Sequence, residues 1–190
     1  MRFDTLLKGG HLIDPKNNKD GLMDLAITDG KVAAVDADIP ASQAASLLDV
    51  SGLYVTPGLV DIHTHMYATT GSPGAWAGDY SVMPDGFSFR AGVTAMVDTG
   101  SAGWRNFADF RLRVLERFET RMFAFVNIAG LGMLTMDVEQ NVADMDVEKT
   151  AACMREHADL VVGSKTAHYR GPEWVSTDRA LAAGQAASMP

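Results

Sequence analysis

Two hydrophobic patterns divide the chain. Residues 1–55 hold short β-leaning runs, DTLLKGG, HLIDPKNNKDG, MDLAITDGKVAAVDADIP and SGLYVTPG, broken by Gly, Asn, Asp and Pro. Runs of this kind with turn residues between them predict a small all-β unit. Within it, residues 25–28 and 31–35 flank Asp29-Gly30, a pair that tolerates positive φ, so a two-residue hairpin is expected there. After Pro57-Gly58 the apolar runs LVDIHTH, GVTAMVDTG, MFAFVNIAG and DLVVGSKTAH alternate with helical stretches and end near residues 65, 98, 129 and 165. That spacing is roughly 31 to 36 residues, the size of one strand-plus-helix unit. Runs apolar on both faces indicate parallel strands covered on both sides.

Between the second and third runs, Phe107, Phe110, Val114, Leu115 and Phe118 recur at i, i+3, i+7, i+8 and i+11, one face of a helix. Val147, Ala151, Met154 and Ala158 do the same before the fourth run, and both stripes are expected to pack into the core. A last helix should start at Ser176 or Thr177, either of which could cap it, and run through ALAAGQAAS. Four βα units fit either a doubly wound open sheet or the first half of a (β/α)8 barrel. A whole barrel takes about 250 residues, whereas about 135 follow residue 55 here. The expected organisation is therefore residues 1–55 as a small all-β unit and 56–190 as four βα units which, if they belong to a barrel, stop before a fifth strand.

Composition narrows the classes. An apolar content of 47% with 21% charged residues suits a soluble globular protein. Sixteen basic against 24 acidic residues give a net charge of −8, and no basic run could track a phosphate backbone, so nucleic acid is not an expected partner. The single cysteine, Cys153, excludes a disulfide within the chain, fits a reducing compartment and reads as small apolar filling. MRFDTLLKGGHLID lacks the long apolar segment of a secretory signal, and no window approaches the roughly 18 apolar residues of a membrane span, so a cytoplasmic protein is expected.

The chemistry concentrates in VTPGLVDIHTHMY. On a strand, side chains two residues apart share a face, so His63 and His65 can direct both imidazoles at one point. Neutral imidazole is a favoured ligand of zinc and related divalent ions. Alternatively, the two are polar strand-end residues bonded to backbone or water. In parallel α/β folds functional groups gather at the carboxyl ends of strands, where LVDIHTH places the pair. Asp61, two residues back on the same face, could orient a histidine through its other ring nitrogen. His11 and His157 lie away from the strand ends and read as surface or structural residues.

The block VTPGLVDIHTH, preceded by DGKVAAV and followed by GVTAMVDTGSAG, resembles the N-terminal half of the amidohydrolase superfamily, in its dihydroorotase-like and deacetylase-like branch. The resemblance implies a (β/α)8 barrel, a β-sandwich built from both chain ends, and one or two divalent metals, commonly zinc, at the barrel mouth. It implies that His63 and His65 ligate the more buried metal. Lys165, which otherwise reads as a solvated amine, stands where binuclear members carry a carbamate that bridges the metals. A metal-activated water would then cleave an amide, cyclic amide or acyl ester of a small-molecule substrate. Pyrimidine dihydroorotases resembling this chain carry an arginine where Tyr67 stands, which points away from dihydroorotate and toward the deacetylase-like branch. Two further histidine ligands and the general-base aspartate of the family would fall beyond Pro190.

Asp98, Ser101, His168, Tyr169 and Arg170 follow strands two and four and are candidates, with Tyr67, for lining the substrate pocket. Arg170 suits a substrate carboxylate. No GxGxxG or GxxxxGK[ST] pattern occurs, which counts against a nucleotide-binding fold. The rival reading is a non-catalytic half-barrel lacking the later ligands; its exposed strand edges would be relieved by homo-oligomerisation or by a missing segment.

Overall fold

The computed structural model describes residues 2–68 and 74–190. The chain divides into two compact units, Met1–Pro57 and Gly58–Pro190. In the first, strands β1 (Phe3–Asp14), β2 (Lys19–Thr28), β3 (Lys31–Asp36) and β4 (Ala44–Asp49) form a sheet in the order β3-β2-β1-β4, and the short β5 (Tyr54–Val55) also pairs with β1. The β2–β3 hairpin turns at Asp29 (φ 51°) and Gly30 (φ 70°), with Thr28 opposite Lys31. Positive φ at both central residues gives the turn whose twist matches the strands it joins. Phe3, Leu6, Ala26, Ile39 and Ala44 make the core of this unit.

Asp24 ties that core to its rim. Only 3% exposed, it accepts hydrogen bonds from the Gly9 amide (2.8 Å), the Ile39 amide (2.8 Å) and Lys8 Nζ (2.7 Å). Burial raises its pKa, but the Ile39 amide, the Lys8 ammonium and the Gly9 amide together outweigh burial and hold the carboxyl below its ordinary value. A depressed pKa stabilises the fold fully above the ordinary carboxylate range, and the contribution fades as pH falls through the folded value. Asp24→Ala is expected to cost about 3 kcal/mol, chiefly by stranding the Gly9 and Ile39 amides, since Lys8 keeps Asp38 and the Ile39 carbonyl. The check is a lower urea midpoint at unchanged m-value, with the deficit narrowing in acid.

In the second unit β6 (Leu59–Thr64), β7 (Val93–Gly103), β8 (Arg121–Asn127) and β9 (Val161–Lys165) are all parallel and lie side by side in chain order. A doubly wound sheet would reverse its strand order at a switch point. Simple sequential order is instead that of consecutive units of a (β/α)8 barrel, so the unit is a partial barrel. Short helices α1 (Pro84–Ser88) and α2 (Phe107–Phe110), and the longer α3 (Val147–Glu156) and α4 (Val175–Ala187), connect or follow the strands. Met96, Met122, Ala124, Val126 and Val161 pack against Phe107, Phe110, Leu115, Ala151 and Met154. Cys153 is a buried free thiol in the same core, as filling should be. Among the described residues no helix is long and apolar enough to cross a membrane.

Several elements differ from the periodic reading. The expected helix over Phe107–Phe118 is α-helical for one turn and then widens to a π-turn over Arg111–Leu115, closed by Glu116 N–H on the Arg111 carbonyl (3.1 Å). Arg111 is meanwhile drawn out to Asp159 (2.8 and 2.9 Å) and Glu116 (2.6 Å). Phe107, Phe110, Val114 and Leu115 are still buried, and Phe118 packs on them from outside the helix. Helix α3 is capped by Asp146, which accepts from the Lys149 amide (3.0 Å), and it ends at Glu156, leaving Ala158 outside and exposed. His157 stops it by turning its ring onto Phe107, 4.9 Å between centroids. Helix α4 begins one residue earlier than expected and neither Ser176 nor Thr177 caps it; Ser176 is buried in its first turn. On β6, Leu59, Val60 and Ile62 are exposed rather than covered, since β6 is an edge strand of this sheet.

Candidate metal centre

The carboxyl end of β6 brings His63 and His65 together, as alternation requires: their ring centroids are 5.7 Å apart at 73°. Thr64, between them, points the other way and locks β6 to β7 by donating to the Val97 carbonyl (2.9 Å). His65 is 9% exposed. Its Nδ1 meets Ser101 Oγ at 2.9 Å, and its ring lies on Trp76 with 5.0 Å between centroids. Thr99 Oγ1, which donates to the Thr64 carbonyl, stands 3.4 Å from Nε2, a weak contact. Burial, followed by the positive charges of His63, Lys165 and His168, pushes the His65 pKa down to about 4. At neutral pH the ring is uncharged, with one nitrogen engaged and the other left for a ligand, the state in which imidazole binds a metal.

Asp98 sets the position of that ring from below. It is fully buried and accepts from the Met66 amide (2.8 Å) and the Ser101 amide (2.7 Å), so one carboxylate pins the residue after His65 and the residue that holds its Nδ1. Burial lifts the Asp98 pKa to about 6 against the opposing pull of those amides. Asp98 and Ser101 were expected in the pocket wall; both are wholly buried beneath it, because β7 continues through them to Gly103.

Lys165 closes β9 opposite Asn127 of β8, and its carbonyl accepts from the Ile128 amide (2.8 Å). Its aliphatic stem crosses Gly100, where the backbone takes φ +84°; a Cβ at that position would stand 2.7 Å from Lys165 Cγ and 2.8 Å from its Cβ. Asn127 fixes this crossing by donating Nδ2 to the Gly100 carbonyl (3.0 Å) and accepting from the Ala129 amide (3.0 Å). The result is a cavity of about 480 Å³ lined by His63, His65, Lys165, His168, Trp76, Met133 and Ala167. A second cavity of about 380 Å³ shares His63, His65 and Trp76 and reaches Asp61, Tyr80 and Phe87. Two imidazoles and an amine on one wall suit a first-row divalent cation. Among the described residues no three His, Cys, Asp or Glu side chains converge closely enough to hold one by themselves.

No protein-family model matches the chain. A deacetylase of Agrobacterium fabrum is 32% identical over 142 residues, covering 72% of this chain and 33% of that protein. A dihydroorotase of Syntrophus aciditrophicus is 50% identical over 62 residues, 32% of this chain and 15% of its own. Among solved structures, a dihydroorotase matches with a TM-score of 0.79 at 25% identity over 98% of this chain and 49% of its own, and an adenine deaminase with 0.77 at 26% over 98% and 48%. The chain belongs to the amidohydrolase superfamily. It spans about a third of the length of the Agrobacterium deacetylase and about half of that of each of the two solved structures.

Other residues of this amidohydrolase chain take places the pattern did not assign. Tyr67, expected to face the substrate, is 3% exposed; its hydroxyl donates to Asp109 Oδ2 (2.6 Å) and its ring packs on Phe110. Burial and then the Asp109 carboxylate push its phenol above the ordinary range. The cause is that β6 ends at Thr64, so alternation no longer governs Tyr67. Asp61 accepts from the His63 backbone amide (3.1 Å) and not from a ring nitrogen. Arg170 is exposed, its amide bonded to Gln140 Oε1 (2.9 Å), and Tyr169 packs against the Ile128, Met145 and Ala180 cluster. His168 does line the cavity. Trp76, Asn127 and Glu139 were missed. Asn127 had a signal, a polar residue ending an apolar run as His65, Asp98 and Lys165 do; Glu139 and Trp76 sit in irregular segments that carry none.

Proposed function

We propose that this chain provides the first metal ligands of a metal-dependent amidohydrolase cleaving an amide, cyclic amide or acyl ester of a small molecule. One observation carries the reading: His63, His65 and Lys165 line a single cavity at the carboxyl ends of parallel strands, with His65 uncharged and its Nδ1 already taken by Ser101. His63 and His65 would hold a divalent ion, zinc being the ion best matched to imidazole nitrogen. Lys165 would lose a proton from its ammonium, add carbon dioxide through Nζ with loss of a second proton, and offer the carbamate oxygens as further ligands. Such an ion, when bound, polarises the acyl carbonyl and acidifies water. His65 stays fixed through Ser101 and Asp98, while Trp76 and Met133 keep one side of the cavity apolar. Among the described residues of that cavity wall none is a carboxylate. The deacetylase and dihydroorotase relatives favour this reading over a non-catalytic half-barrel. The free thiol of Cys153 supports a reducing, cytoplasmic setting.

Metal analysis of protein purified without chelators is expected to find one or two divalent ions per chain. Lys165→Ala should reduce that number or abolish turnover of a panel of N-acetyl, cyclic amide and acyl ester compounds. Parental metal content in both His63→Ala and His65→Ala would sink the assignment.

A further inference from the structure

Glu139 is a buried carboxylate that the proposed metal chemistry does not use. It is 2% exposed and sits in a short 3-10 turn, Val138–Gln140, at the border of the main cavity and a smaller one of about 110 Å³. Its Oε2 lies 2.8 Å from His168 Nδ1, while its Oε1 has no hydrogen-bond partner among the described residues. A half-satisfied buried carboxylate is costly, and its retention calls for an explanation.

Holding the loop does not supply one. Gln140, next in the chain, already clamps it on both sides, donating Nε2 to the His168 carbonyl (2.9 Å) and accepting from the Arg170 amide (2.9 Å). Glu139 instead acts on the His168 ring, its one direct contact at 2.8 Å, and lies near enough to the Asn127 amide and the Lys165 ammonium to feel both. His168 also has φ +54°, a left-handed conformation that a side chain rarely adopts. With Nδ1 on the carboxylate, Nε2 makes no hydrogen bond among the described residues, and the ring lines the same cavity as His63, His65 and Lys165.

We propose that His168 is a further substrate-contacting residue of this site, its Nε2 accepting an N–H or O–H of the acyl substrate, and that Glu139 is the positioning residue that fixes the ring by accepting Nδ1–H. The proposal rests on the amidohydrolase reading for its substrate class. Its geometry is that of a carboxylate-oriented histidine aimed at a ligand, in which the second nitrogen sets which proton the first one lacks.

The test combines kinetics with histidine ¹⁵N spectroscopy on the metal-loaded protein. His168→Gln should lower kcat/KM by tenfold or more at parental metal content. Glu139→Ala should lower it to a similar degree, and Glu139→Gln, whose amide oxygen still accepts from Nδ1–H, should restore most of the loss. In the parent, His168 should show a protonated Nδ1 and a bare Nε2 whose resonance moves when an N-acetyl amino acid is added; Glu139→Ala should abolish that response. Parental kcat and KM in His168→Gln would overturn the proposal, as would an Nε2 resonance indifferent to the added acyl compound. Loss of metal from His168→Gln would also overturn it, by making His168 a support of the metal ligands. Failure of the underlying reading looks different, with no divalent ion and no turnover in the parent. The Nε2 response to the acyl compound would then still decide whether His168 contacts such a ligand.

Discussion

Gly100→Ala is expected to cost about 3 kcal/mol of stability and to displace Lys165 from the cavity. Two effects add. An L-residue held at φ +84° carries a strain of about 1 to 2 kcal/mol. The new methyl also meets Lys165 Cγ at 2.7 Å and Cβ at 2.8 Å, with Asn127 Cβ at 3.4 Å behind. Lys165 cannot yield cheaply, because its backbone is hydrogen-bonded to Ile128 and Asn127 holds the Gly100 carbonyl. Metal content should therefore fall with stability, although no candidate ligand has been changed. A double-mutant cycle with Lys165→Gly separates the two effects. In that background the lysine stem is gone, so the cost should shrink to the backbone strain alone, about 1 to 2 kcal/mol. Equal costs in both backgrounds would show that the crossing of Lys165 over Gly100 does not constrain the site.

That crossing shows where sequence periodicity stops informing. Alternation placed His63 and His65 together because they flank Thr64, the last residue of a regular strand, and the Asp29-Gly30 hairpin was legible because backbone tolerance alone decides such a turn. The βα spacing likewise foretold four parallel strands, but left their order open between a doubly wound sheet and a barrel. What failed did so where tertiary partners override local period. Asp98 and Ser101 look like loop residues at the end of an apolar run, yet β7 runs on through them, and the Met66 amide and His65 ring they serve are more than thirty positions away. Tyr67 continues the even spacing of His63 and His65, but the strand has ended and Asp109 on α2 claims its hydroxyl. The π-turn after Phe110 arises where Arg111 is pulled toward Asp159, a contact 48 residues distant. Glu139 and His168 meet across 29 positions, from segments on either side of α3 and β9 that no local rule links.

Asp98→Asn is expected to change the pH dependence of stability and to weaken metal retention together. In the folded protein burial raises the Asp98 pKa from 3.8 to about 6. A raised carboxyl pKa stabilises the fold fully below the ordinary value, and that contribution is lost as pH rises through about 6. The full loss is roughly 3 kcal/mol, and an asparagine, carrying no charge, does not incur it. Metal-free Asp98→Asn should therefore gain on the parent between pH 4 and pH 7 by up to about 3 kcal/mol, read from paired urea midpoints. Groups common to both proteins, His65 among them, cancel in that difference. The gain has a functional cost. Asparagine has one acceptor oxygen where the carboxylate uses two, so either the Met66 or the Ser101 amide loses its partner. Whichever is released loosens a residue that brackets His65, and affinity for a divalent ion should fall about 10- to 100-fold, as for other changes to groups that orient a metal ligand. A variant with the altered pH profile and parental metal affinity would show that Asp98 serves the fold and not the histidine.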